Sequence, residues 1–324
     1  MTLRMQQLEL PLGDRKTDRL NPCPDPAQTL TPAPPPKVTP PTVTNVSSVP
    51  QRSPFRYAGG KTWLVPQVRQ WLAAYGGPGK ELLEPFTGGG IVGLTAVFEN
   101  WVDRVTFMEK DEGVAAVWQV ILNGGAADLA DRIMQFQLTP ENARAILTAT
   151  DSTPVTAQSL DSLAFATLVK NRVSHGGILA KGAGLVKRGE KNKGIGSRWY
   201  PETLKKRILA IDALKHRIRF IPGDMFNLWS HYPHTDQTLY FLDPPYLKAS
   251  RRLYRHATID HTQLFQWAAQ AQGSVLMSYD NTAEVQGMAV AHGLRTHPIA
   301  MKNTHHAHKT ELLISQDFRW LSPM

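Results

Sequence analysis

Cysteine is almost absent: Cys23 stands alone among 324 residues. An intrachain disulfide and a cysteine-ligated zinc site are therefore excluded, and the scarcity fits a reducing compartment. No run reaches the 18 or so apolar residues of a membrane span, so no membrane partner is expected. The opening stretch Met1–Arg19 lacks the apolar core of a secretory signal, so the expected location is cytoplasmic. Internal repeats are missing too. Acidic residues are in deficit, 27 against 36 basic, a net charge of +9. Such a surplus makes polyanions expected partners. What the chain does have is 42% hydrophobic residues, enough for one large domain or a domain with an inserted subdomain.

Residues 1–50 read as a disordered, proline-rich tail. Ten of the 24 prolines lie between Asn21 and Pro50, removing backbone donors while few apolar residues offset the entropy of ordering. Beyond Pro54, strand and helix patterns alternate. Strands are predicted at Leu82–Phe86, Arg104–Met108, Ile218–Ile221, Leu239–Leu242 and Ser274–Ser278, and an antiparallel pair at Leu294–Ile299 and Glu311–Phe318. Helices are predicted at Lys61–Ala74, Ile91–Phe98 and Val114–Ile121. This alternation predicts an α/β fold with a mostly parallel sheet and a C-terminal antiparallel hairpin. Residues 124–213 break the rhythm with helices and a glycine-rich basic loop. They read as an insertion, leaving 51–123 and 214–324 as the main domain.

Five segments carry the candidate chemistry. Asp243-Pro244-Pro245-Tyr246 follows the apolar strand Leu239–Leu242, at the strand end where parallel sheets bind ligands. A carboxylate and a nearby carbonyl there can accept the two N–H bonds of an aromatic amine and sharpen its nucleophilicity. The tyrosine offers a stacking face for an extruded base. Glu84-Pro85-Phe86-Thr87-Gly88-Gly89-Gly90 follows another strand. Its glycines allow close backbone approach, yet it has no phosphate-loop spacing, which suits a nucleoside ligand lacking phosphates. Glu109 ends the next strand, where an acid commonly grips ribose hydroxyls; Asp111 is the alternative. Tyr57-Ala58-Gly59-Gly60-Lys61 opens a helix with a lysine in range of a ligand carboxylate. Asp224 ends a fourth strand and can accept from an adenine amino group or cap a helix. His305, His306 and His308 lack neighbouring carboxylates in ligand spacing, so no metal site is expected.

In this order the motifs resemble those of the Dam-type (D12 class) DNA adenine N6-methyltransferases, over about residues 53–318. The resemblance implies a class I methyltransferase (Rossmann-like) sheet with S-adenosyl-L-methionine over its first two strands. Tyr57, Lys61, Glu84, Phe86, Gly88, Gly90, Glu109, Asp224 and Asp243 would hold that cofactor. Asp243, Pro244, Pro245 and Tyr246 would form the catalytic turn. The insertion would read the target, although its Asn171–Gly177 segment does not match that of GATC-specific relatives. Lys170–Arg219 holds fourteen Lys or Arg against three acids, a net +11. This makes Lys187, Arg188, Lys191 and Lys193 candidates for phosphate contacts with DNA. Asn171 and Arg172 have the donors to read purine edges, and Arg251 and Arg252 follow the catalytic turn. Methylation of cytosine N4 or of an RNA base suits the same turn, and a non-catalytic DNA-binding module is the reading from another class. Oligomeric state and any endonuclease partner are not deducible.

Overall fold

A computed structural model of the chain describes residues 48–56, 59–180, 183–189, 192–247, 258–302 and 308–321. Most of the proline-rich tail, Tyr57, Lys191, Arg251 and Arg252 lie outside the described residues.

The paired leucines after Glu81 show how the sheet is built. Side chains alternate across a strand, so Leu82 enters one core and Leu83 the other. The strand containing them, β1 (Gly77–Glu84), therefore has both faces covered, as parallel strands require. The remaining strands are β2 (Val102–Glu109), β3 (Ile218–Pro222), β4 (Thr238–Leu242), β5 (Val275–Asp280), β6 (Arg295–Lys302) and β7 (His308–Ser315). Their order is β3-β2-β1-β4-β5-β7-β6. The first five run parallel, and β7 inserts antiparallel to both β5 and β6. The mostly parallel sheet with a C-terminal antiparallel pair is as the strand pattern predicts. Every residue of β4 is buried, consistent with its uninterrupted apolar run and central position.

Helices α1 (Val65–Tyr75), α2 (Ile91–Phe98) and α3 (Glu112–Leu122) pack on one face. Against the other lie α8 (Met225–Leu228), α9 (His261–Gln270) and α10 (Ala283–Ala291). Local chemistry starts several of them. Asp111 accepts from the Gly113 and Val114 amides at the head of α3, and Asp260 and Thr282 cap α9 and α10 similarly. Among the described residues, no helix is long and apolar enough to cross a membrane.

Between β2 and β3 run α4 (Ala126–Gln135), α5 (Pro140–Ser152), α6 (Leu160–Val173) and α7 (Pro201–Ala213). They share the core of the first face: Leu129, Ile133, Leu163, Phe165, Leu168, Leu204 and Ile208 join the same apolar cluster as Trp118 and Phe107.

Candidate active site

The strand order reverses between β1 and β4, which opens a crevice at their carboxyl ends. Three signature segments meet there because each follows a neighbouring strand: Glu84 ends β1, Glu109 ends β2, and Asp243 follows β4. They line one cavity of about 480 Å³. Lys61, Phe86, Gly90, Asp224 and Pro245 line it as well.

The loop after β1 is held by its own backbone. Thr87 donates its hydroxyl to the carbonyls of Glu84 and Met108, tying the ends of β1 and β2. Glu84 accepts from the Gly93 amide at 2.7 Å. Burial pushes its carboxyl well above the usual range, and that amide only partly offsets the effect. Gly90 is required twice over. Its φ is 61°, and a Cβ there would stand 2.9 Å from Trp118. Trp118 in turn donates to the Gly88 carbonyl at 3.0 Å.

Glu109 reaches back across this loop. It accepts from the Gly88 amide at 2.8 Å and from the Asp111 amide at 2.9 Å. Burial raises its pKa to about 7, against the lowering effect of these amides. Each oxygen keeps a lone pair for a hydroxyl donor. Asp111, the alternative acid, is occupied in capping α3. Asp224 caps α8 through the Phe226 amide and pairs with Lys110 at 2.7 Å. Capping and cavity lining thus coexist in Asp224.

The turn after β4 is braced from three directions. Asp243 accepts the Ser278 hydroxyl at 2.7 Å and pairs with Lys61 at 2.8 Å. Lys61 is 3% exposed and also donates to the Gly59 carbonyl at 2.7 Å. Its ammonium lies 5.1 Å from the centre of the Tyr246 ring, a cation–π contact. Lys61 thus grips the Asp243–Tyr246 turn itself, where its sequence context led to the expectation of a ligand carboxylate. Tyr246 stacks on Tyr279 and donates to Glu311 at 2.8 Å. Burial, with Asp243 and Glu311 close by, holds the phenol well above its ordinary pKa. Burial also raises Glu311, with Lys61 lowering it and Asp243 adding to the rise.

Ser278, Tyr279 and Glu311 escaped sequence reading. Their signal was faint: polar groups within the apolar runs of β5, the strand beside β4, and of β7, the strand beyond it.

Asn171 and Arg172 need a correction. Neither is an outward-facing base reader. Asn171 is fully buried; it accepts from the Arg56 amide and donates to the carbonyls of Arg56 and Gly177. Arg172, 4% exposed, donates to the Pro54 carbonyl, and Arg207 donates to that of Ser53. Together they bind the segment 53–56 as a strap across the cavity. Lys187, Arg188 and Lys193 are exposed.

A mostly parallel seven-stranded sheet of this order, with a C-terminal antiparallel pair, is the class I methyltransferase fold. No family model matches the chain, and no curated protein matches it. Solved structures do. A proposed RNA methyltransferase from Pyrococcus horikoshii aligns over 83% of this chain and 92% of its own, at 10% identity and TM-score 0.39. The precorrin-6y C5,15-methyltransferase of Geobacter metallireducens aligns over 77% and 84%, at 8% identity and TM-score 0.34. An rRNA methyltransferase from Streptomyces viridochromogenes aligns over 79% and 85%, at 12% identity and TM-score 0.32.

Proposed function

We propose that the chain transfers a methyl group from S-adenosylmethionine to the exocyclic N6 of adenine in DNA, on a base extruded from the duplex. The observation that carries this reading is Asp243, fixed by Lys61 and Ser278 beside Tyr246 in the same cavity as Glu84 and Glu109.

The residues suit the cofactor by their chemistry. Glu109 offers acceptors to ribose hydroxyls, Asp224 faces the cavity with a carboxylate for an adenine amino group, and no phosphate cradle is present in the loop after β1. S-adenosylmethionine held there supplies a methyl on a positively charged sulfur. The protein's part is positioning. Asp243 accepts an N–H of the target amine and orients the nitrogen lone pair as positive charge develops. Lys61 and Ser278 keep that carboxylate from rotating. The Tyr246 ring, held edge and face by Glu311 and Tyr279, gives the base a platform. The exposed Lys187, Arg188 and Lys193 supply phosphate contacts outside the cavity.

Full-length protein incubated with DNA and tritiated cofactor, followed by nucleoside analysis, tests the reading. N6-methyladenine is expected. N4-methylcytosine or label only in RNA transfers the proposal to those substrates. Cofactor binding without transfer to any nucleic acid overturns it.

A further inference from the structure

The cavity has two walls of opposite character. Carboxylates line the sheet edge. The facing wall carries Arg56 from the strap, Arg172 from α6, Arg198 from the segment before α7, and Arg207 from α7. Among the described residues, no ion pair joins Arg56, Arg172 or Arg207 to a carboxylate. The carboxylates opposite have other partners: Gly93 for Glu84, Gly88 and Asp111 for Glu109, Lys110 for Asp224, Lys61 for Asp243. Arg172 is almost wholly buried, yet its Nε has no hydrogen-bond partner among the described residues. The orphaned Nε–H of this buried guanidinium is costly unless an acceptor reaches it.

Building on the methyltransferase reading, we propose that Arg56, Arg172, Arg198 and Arg207 form a binding site for a phosphodiester of the substrate strand, next to the nucleotide whose base reaches Asp243. Burial, then the charges of Arg207, Arg56 and Arg198, brings Arg172 down to about 9; burial and Arg198 lower Arg56. The anionic oxygens of a phosphodiester relieve that repulsion with bidentate hydrogen bonds. S-adenosylmethionine does not account for the set. It carries one carboxylate, with an ammonium beside it and a sulfonium nearby, whereas four cations face the cavity. A nucleotide fits both walls at once, because its base and its phosphate are covalently joined.

The test uses the full chain and a duplex with one target base. Arg172 is left intact because it also anchors the strap. Arg56→Gln combined with Arg198→Gln should lower duplex affinity at least about tenfold. The salt slope should fall by about 0.9 for each phosphate that is no longer neutralised. Cofactor affinity and melting temperature should stay near wild type. A wild-type chain should also lose affinity when the phosphodiester flanking the target base is replaced by an uncharged methylphosphonate, and the double variant should be indifferent to that replacement. Wild-type affinity and salt slope in the double variant overturn the site; methyl transfer by the wild-type protein then still stands. Loss of cofactor affinity with duplex affinity intact also overturns it, assigning the arginines to the cofactor carboxylate. If the wild-type protein methylates no nucleic acid, the function proposed above falls, and this site with it.

Discussion

Asp243 holds two neighbours and still faces the cavity, which makes it the most informative residue to change. Asp243→Asn keeps the shape but removes the charge that Lys61 pairs with. Methyl transfer should fall by on the order of 10²-fold or more, the usual cost of losing a group aimed at developing charge. Single-turnover rates with a folding check by circular dichroism would measure it. Tyr246→Phe keeps the ring stacked on Tyr279 and loses the hydrogen bond to Glu311. A hydrogen bond to a charged acceptor is worth roughly 1.5–3 kcal/mol of stability, so denaturant melts should shift while KM for DNA changes little. Tyr246→Ala should raise that KM. Glu109 predicts a pH effect. A buried acid whose folded pKa is raised from 4.5 to about 7 favours its protonated form. Its contribution to stability is full below 4.5 and is lost as pH rises through about 7. Ribose hydroxyls donate to the ionised form, so cofactor affinity should run the other way and increase through about pH 7. Calorimetric titration across that range should show the increase in wild type and none in Glu109→Gln. Asp243, Tyr246 and Glu109 were legible because each follows a recognisable strand. Ser278 and Glu311 were not, because they reach the site from strands adjacent in the sheet but distant in the chain.

At the scale of elements, α2 packs closely against β1 and β2 at Gly93. A Cβ at Gly93 would lie 2.4 Å from the Phe107 ring and 2.7 Å from the Glu84 carboxylate. Gly93→Ala should therefore cost about 1–3 kcal/mol through overpacking, seen as a lower urea midpoint with an unchanged slope. Cofactor affinity should fall with it, since the displaced Glu84 lines the cavity. Helix α6 teaches a different lesson. Sequence places helices in this region without locating them, and a helical pattern does not say what its polar residues meet. Asn171 sits beside a glycine-rich turn, which made base reading plausible from sequence, and its actual partner is Arg56, 115 positions away. The face of an element follows from local pattern, whereas its neighbours follow from topology.

Across the whole molecule, the sheet order was only partly legible. Alternation of strand and helix predicts parallel pairing, and the final hairpin was recognisable, but nothing local specifies that β7 slips between β5 and β6. The proline-rich leader offers a test at this scale. Removal of residues 1–47 should leave the melting temperature and the methylation rate close to those of the full chain, because the strap and every cavity residue named above lie beyond it. A large loss of either would assign that leader a structural part.

The strap also bears on modularity. Residues 124–213 look, in sequence, like a cassette that could be exchanged between related enzymes to reprogram their target. Yet Asn171, Arg172 and Arg207 clasp the backbone of residues 53–56, which enter the fold before the first strand. A graft of the helical region alone would arrive without its clasped partner. A chimera that keeps these contacts must carry residues 53–56 together with the helical region, although the two are separated in the gene by the coding sequence of β1 and β2.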